Sequence, residues 1–391
     1  MSVLSKITAP IKRTFQERER YLVYKEYRDH FKAYMLKHNL NPEEEVEGEE
    51  DYHQVWGQLC QRIEPYSYRF FSHYMGKTPY IVPEDIGRTY IEYYLNPLPY
   101  RAFYSDKNLY QQYLSPSSAF PKAYFRRVNG SCLLDGAFLV PSIDGHPLSF
   151  ESTAADIARY IPDSKIVLKK SIDSGGGYSI LCFSRNDNGV LYNSEAGELT
   201  GDFLRSFSTN FVVQEVIQQH PFFSQFCKTS LNTIRLYAYR SVNDESITIY
   251  SAFLRAGNEG SFVDNLTQGG MSVPINVETG KIGVVVVVGH LGFLHSSHNG
   301  IDFSEKEFIV PKWNEIIEFA CNIVRQNRHC HMVALDLALD KDEQIRMIEY
   351  NVGDNSYWWS MYFGLQPFGD KIKEVIDYCI AQKKIDPRFR K

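Results

Sequence analysis

No stretch of the 391-residue chain comes near the ~20 consecutive apolar residues that a spanning helix needs. The opening, MSVLSKITAPIKRTFQERER, also lacks an apolar core long enough for a secretory leader. Charge of one sign is missing too. Lys and Arg total 42 against 47 Asp and Glu, a net charge of −5 spread along the chain. That excludes the basic footprint of a protein that holds nucleic-acid backbone. Cysteine is sparse and unpaired: Cys60, Cys132, Cys182, Cys227, Cys321, Cys330 and Cys379 form no CxxC motif. They read as thiols in a reducing compartment, so the expected location is the cytoplasm. No GxxxxGK[ST] loop opens a helix, and no GxSxG elbow presents a nucleophilic serine.

What the chain does have is a large apolar and aromatic content, 43% hydrophobic and 14% aromatic, enough to bury a core of two or three subdomains. Residues 15–36 carry apolar side chains at helical spacing and predict a long amphipathic helix, whose apolar face could also serve a homodimer. An acidic linker, NPEEEVEGEED, and a second helix, YHQVWGQLCQRI, follow. Residues 66–100 are so dense in Tyr and Pro that no element is assigned. From about residue 101 short strands and turns take over, at 166–169, 178–183, 211–217, 233–239, 247–254, 282–288, 332–339 and 345–352. Helices are expected within 309–325 and at 371–382, the last packed on the back of the sheet. The class is α+β with mostly antiparallel strands.

Two segments carry chemistry. In KIVLKKSIDSGGGYSILCFS, two β-rich runs enclose Ser174, Gly175, Gly176 and Gly177. A glycine tip lets backbone N–H groups approach an anion, and Lys169 ends the first strand within reach of a phosphate. In MVALDLALDKDEQIRMIEYNVGDN, the turn Lys341–Gln344 would pair Asp336 with Glu349 across a hairpin. Asn351 lies two residues on, hence on the same face, while Ile348 and Tyr350 are expected to face the core. Like charges held that close repel each other unless a cation separates them. Three hard oxygen donors suit Mg²⁺, or Mn²⁺, shared with phosphate. His329, Cys330 and His331, and His290, His295 and His298, are read as loop and helix-end residues rather than a transition-metal site.

Together these segments resemble the ATP-grasp superfamily, most closely its sugar-transfer-associated branch. Five stretches carry the resemblance in order from about Ser105 to Asn355: YSDKNLY, KIVLKKSIDSGGGYSI, FVVQEVIQQHP, SLNTIRLYAY with DNLTQGGMSVPINVETGKI, and DLALDKDEQIRMIEYNVGDN. The resemblance implies an ATP-grasp fold, two α+β lobes gripping ATP, with a helical Tyr-rich region at 1–100, a small lobe with the glycine flap at 101–210 and a large lobe with the magnesium site at 211–391. It implies that Lys107 and Lys169 contact the ATP phosphates under the flap Ser174–Gly177. Gln214, Glu215, Val216 and Ile217 would be the hinge that reads adenine, with His220 or Gln219 near the ribose. Asp336, Glu349 and Asn351 match the magnesium triad, Glu349 bridging two ions. Arg235 and Arg255 resemble the arginines that neutralise the transferred phosphoryl group, with Asn265 at the same end.

The activity so implied is ATP-dependent ligation of a small-molecule carboxylate, through an acyl phosphate, to an amine or other nucleophile. The substrates would be sugar-linked, as in surface-polysaccharide biosynthesis. Two alternatives stay open at this stage: a phosphotransferase acting on a hydroxyl, and a silent nucleotide-binding module beside a glycosyltransferase.

Overall fold

The computed structural model describes residues 3–130, 132–134, 142–143, 146–172, 174, 179–289 and 292–386. The amphipathic pattern at the start forms one helix, α1 (Val3–Lys37), longer than the periodicity alone suggested. The Tyr- and Pro-rich stretch that resisted assignment is helical: Tyr66–Met75, a run over 84–95 with a π-helical stretch at Gly87–Ile91, and Leu98–Ser105. The prolines obscured this only in appearance. Pro65, Pro83 and Pro97 each stand at a helix N-cap, where a missing N–H costs nothing.

Among the described residues most strands form two seven-stranded sheets, with two small two-stranded pairs beside them. The first contains β1 (Ala123–Val128), β2 (Cys132–Leu134), β3 (Lys165–Lys170), β4 (Ile180–Arg185), β5 (Leu191–Asn193), β6 (Gly197–Glu198) and β7 (Phe211–Glu215), in the order β2-β1-β7-β3-β4-β5-β6. Strand β7 is central here, between β1 and β3, so the passage to the second sheet falls after Glu215 rather than at residue 211. The second sheet contains β8 (Thr233–Arg240), β9 (Ile247–Ala256), β10 (Met271–Ile275), β11 (Val286–Val288), β12 (Leu294–His295), β13 (Met332–Leu339) and β14 (Ile345–Asn351), in the order β12-β11-β10-β9-β8-β13-β14. Every assigned pairing is antiparallel.

The strand expected over 282–288 is shorter, Val286–Val288, and Ile282 meets Ile275 only as an isolated bridge. Gly283 N–H donates to the Pro274 carbonyl at 2.7 Å, and an added Cβ at Gly283 would lie 2.9 Å from the Pro274 ring. One face of the second sheet buries Ile234, Leu236, Leu335, Leu337 and Leu339 with Trp313, Ile316, Ala320 and Ile323 of α3 (Trp313–Gln326). The helix Ile372–Ile385, α4, does not lie on the sheet alone. Its Ile372, Val375, Ile376 and Cys379 share a core with Phe31, Trp56, Phe70 and Ile91 of the N-terminal helices and with Tyr239 and Met332 of the sheet. No described helix is long and apolar enough to cross a membrane.

Asn96 ties the helical region to the second sheet. Its amide donates to the carbonyls of Met332 (2.6 Å) and Val352 (2.7 Å) and accepts from the N–H groups of His331 (3.0 Å) and Met332 (3.1 Å). The residue is fully buried, so Asn96→Ala removes four hydrogen bonds to the backbone, although the His331 N–H keeps the Leu95 carbonyl at 3.1 Å. The expected loss is ~3 kcal/mol, read as a lower urea midpoint. An unchanged midpoint would show the two parts are joined by packing alone.

Candidate active site between the two sheets

A cleft of about 1080 Å³ opens between the sheets. On the second-sheet wall, strand register sets the chemistry. Arg235 of β8 pairs with Phe253 of β9 on one side and Asp336 of β13 on the other, and Asp336 pairs with Glu349 of β14. The residues Phe253, Arg235, Asp336 and Glu349 therefore form one rung across four strands.

The pairing of Asp336 with Glu349 arises by a different route from the four-residue turn. Next to the turn the partners are Leu339–Ile345, Ala338–Arg346 and Leu337–Met347, which makes the connection five residues, Asp340–Gln344. That register would place Asp336 opposite Ile348. A bulge between Asp336 and Leu337 absorbs the extra residue and restores Glu349 to the rung. Its consequence corrects one expectation: Tyr350 is buried in the core, but Ile348 lines the cleft beside Glu349.

Protein cations separate the two carboxylates. The Asp336 carboxylate accepts from Arg235 Nε and from Arg235 Nη2 (2.7 Å), with Arg255 Nη1 at 3.4 Å. Glu349 Oε1 accepts from Lys107 Nζ at 2.7 Å. Burial raises the Glu349 pKa, but the adjoining Lys107 ammonium, with Arg235 and Lys169 behind it, brings it down to about 2. The expected repulsion is thus cancelled within the chain. Asp264, which the sequence did not single out, lies 3.5 Å from Arg255 Nη2 and takes the Thr233 hydroxyl; burial raises its pKa.

Across the cleft, Lys107 is the first residue of helix α2 (Lys107–Tyr113), whose N-cap Asp106 accepts from Asn108 N–H. Asn108 anchors the helix to the first sheet through the carbonyls of Arg127 and Phe211. Lys107 Nζ also donates to Ser174 Oγ at 2.7 Å, so one ammonium links the glycine-flanked serine to the opposite sheet. Gly175, Gly176 and Gly177 lie outside the described residues. Lys169 lines the cleft and is 5% exposed, whereas Lys170 does not line it. Among the described residues no hydrogen bond or ion pair reaches the Lys169 ammonium. Burial, and then the charge of Lys107, push its pKa down to about 7.

Gln214, Glu215, Val216 and Ile217 run along the cleft as β7 leaves its sheet. The Glu215 carboxylate serves the fold, accepting from Arg346 Nη2 (2.6 Å) and Lys122 N–H (2.8 Å). His220 does not line the cleft; its Nδ1 accepts from Phe222 N–H and caps the short helix Pro221–Ser224. Gln219 lines the cleft, but its amide is bound to the Cys227 and Ser230 carbonyls and to Asn232 N–H. Arg255 and Asn265 line the cleft with Trp358 and Trp359, which no sequence motif flagged.

The histidines are dispersed in role: His329 stacks on Tyr100, His331 Nδ1 lies 2.9 Å from the Arg240 carbonyl, and His298 meets the Gly257 carbonyl. His290 is outside the described residues.

For a divalent cation the donors fit in kind. Glu349 Oε2 accepts no bond among the described residues, and the Asn351 amide, whose oxygen is a hard donor, lines the cleft with it. Asp336 is chelated by Arg235, so it could join only by sharing. Among the described residues no group of three or more His, Cys, Asp or Glu could hold a metal.

A family profile described as sugar-transfer associated ATP-grasp matches residues 90–364. No curated protein matches the chain. Similar solved structures include an N5-carboxyaminoimidazole synthetase from Staphylococcus aureus complexed with ADP (13% identity, 68% of this chain and 52% of that one, TM-score 0.36). Others are an ATP-grasp ligase, PsnB, complexed with minimal precursor (10%, 73% and 64%, 0.38), and a D-alanine–D-alanine ligase from Coxiella burnetii (10%, 72% and 58%, 0.33). The chain thus spans about half to two thirds of the length of these proteins.

Proposed function

The chain belongs to the sugar-transfer-associated ATP-grasp family, and from that premise we propose that it is an ATP-dependent ligase acting on a carboxylate. One observation carries the proposal. Lys107 bridges the flap serine and Glu349 across the cleft, and beside it Lys169 is a buried lysine whose ammonium no hydrogen bond or ion pair reaches among the described residues. A buried ammonium without a partner is costly, and a phosphate supplies what it lacks.

In this reading Lys107 and Lys169 hold the β- and γ-phosphates of ATP under the flap Ser174–Gly177. Gln214–Ile217 flank the adenine. Magnesium, when bound, would be held by Glu349 and Asn351 with Asp336 and would neutralise phosphate oxygens. A carboxylate oxygen of the substrate attacks the γ-phosphorus; the bond to ADP breaks and an acyl phosphate forms. An amine or other nucleophile then adds to the acyl carbon, inorganic phosphate leaves, and the nucleophile gives up its proton. Arg235 stands on the charged rung and Arg255, two residues along β9 from Phe253, reaches Asp336 of that rung, so both meet the charge that builds up on the transferred group; Asn265 lies at that end. The chain contributes position and charge rather than a covalent intermediate. The family description supports a sugar-linked substrate.

The test is a thermal shift with ATP, with and without Mg²⁺, followed by product analysis with a panel of carboxylic acids and amines. We expect a rise of several degrees that needs Mg²⁺, then stoichiometric ADP, phosphate and amide. ADP with a phosphorylated hydroxyl instead would make the chain a phosphotransferase. Absence of any shift at millimolar ATP would leave a silent module.

A further inference from the structure

One step along the strands from the charged rung, the second sheet changes character. Ser251, Tyr237, Ala334 and Asn351 form the next rung. Two residues of strand advance ~6.8 Å, room for one six-membered ring. Trp359, half-buried, packs with Tyr237, Phe253 and Ala334, and its ring centroid is 3.7 Å from that of Trp358. These aromatics line the cleft with Gly353, Asn355 and Ser356. Two amides at this end lack a partner among the described residues: Nδ2 of Asn351, and Nδ2 of Asn355, a residue only 3% exposed. Arg255 Nε, at the neighbouring charged zone, is also buried and unpartnered.

The loop that carries these groups is held from the N-terminal helices. Glu84 Oε2 accepts from the N–H groups of Tyr357 (3.1 Å) and Trp358 (3.3 Å). Glu92 accepts from the N–H groups of Asp354 (3.0 Å) and Asn355 (2.6 Å). Both glutamates are buried. Arg101, 3.5 Å from Glu92, lies over Gly353 so closely that a Cβ there would stand 2.5 Å from its guanidinium.

We infer that this end of the cleft is the acceptor subsite and that it takes a carboxylate carried on a saturated, hydroxylated ring, a uronic-acid type. The helical region shapes it through Glu84 and Glu92, which act as positioning residues. The inference rests on the ligase reading. The carboxylate meets Arg255 and Arg235, and the ring lies one rung on, its C–H face on the aromatics. Aromatic side chains offer a ring a large rigid apolar surface. Ring hydroxyls answer the orphaned amides, which a plain hydrocarbon ring or a phenyl side chain would leave buried and unpaired.

Saturation-transfer NMR on the full chain with ADP and Mg²⁺ tests this, using glucuronate, galacturonate and mannuronate as probes. Ring protons of at least one probe should receive saturation from the protein. Trp359→Ala should abolish it while the ADP-induced rise in melting temperature persists. Glu92→Leu should weaken the probe ~10-fold at an unchanged ADP shift, a hydrogen-bond-sized effect, and Glu92→Gln, which keeps an acceptor oxygen, should restore most of it. If Glu92→Leu does not fold, Trp359→Ala decides. No saturation of any probe in a wild type that still responds to ADP overturns the substrate class. Saturation that survives Trp359→Ala overturns the location. A wild type that ignores ADP removes the ligase reading itself.

Discussion

Glu349→Gln is expected to lower ATP turnover by about 10³-fold, the loss typical of removing one charged group from a preorganised site, with the fold retained. The amide can still accept from Lys107, so the bridge across the cleft survives as a neutral hydrogen bond. What disappears is the one carboxylate charge that faces both Lys107 and the open side of the cleft. The variant also changes acid behaviour. Glu349 is held at about 2, below its ordinary 4.5, so its ion pair stabilises the native state fully above pH 4.5. That contribution fades as pH falls from 4.5 through 2. Wild type should therefore lose stability over that window more steeply than Glu349→Gln. Parallel urea midpoints between pH 5 and 3, or turnover within tenfold of wild type, would remove Glu349 from the site.

Lys169→Met should separate stability from function in the opposite way. Lys169 has its pKa pushed from 10.5 down to about 7 by burial and by the nearby Lys107. The unfolded chain binds that proton up to pH 10.5, the folded one only up to 7. The protonated lysine thus penalises the native state fully below pH 7, and the penalty is relieved as pH rises from 7 to 10.5. Methionine fills the same space without a charge, so the variant should melt several degrees higher than wild type at pH 6. It should also lose nucleotide binding by at least ~100-fold, the worth of a desolvated charge-assisted contact. The same shift gives wild type a signature. A phosphate beside Lys169 favours its protonated form, so binding at pH 8 takes up a proton and ADP affinity falls as pH rises above 7. Calorimetry in buffers of differing ionisation enthalpy reads that proton directly. A Lys169→Met chain that binds ADP as wild type does, with no proton uptake in the wild type, would place the phosphates elsewhere.

Much of this site was legible residue by residue. The alternation in MVALDLAL and IRMIEYNV put Asp336 of one strand and Glu349 with Asn351 of the other on the same face of the hairpin, because side chains in a strand repeat every second residue. Lys169 at the end of its strand, before the serine and glycines, was similarly local. The position of His220, suggested for the ribose, has a local reason as well. A histidine just before Pro221 is well placed to cap a helix, and capping is what it does.

The sequence by itself determined the antiparallel α+β class and the acid–acid–amide hairpin, since each is written in short-range period and spacing. Tertiary structure decided the rest. The Ile348 bulge depends on how two strands meet beyond a five-residue turn. The clamp of Arg235 and Arg255 on Asp336 depends on the register of strands about a hundred residues apart in the chain. The low pKa of Lys169 depends on which surfaces close over it. The grip of Glu84 and Glu92 on the 353–359 loop joins residues more than 250 positions apart. Burial and long-range hydrogen bonding exist only once the chain is folded, and no window of sequence contains both partners.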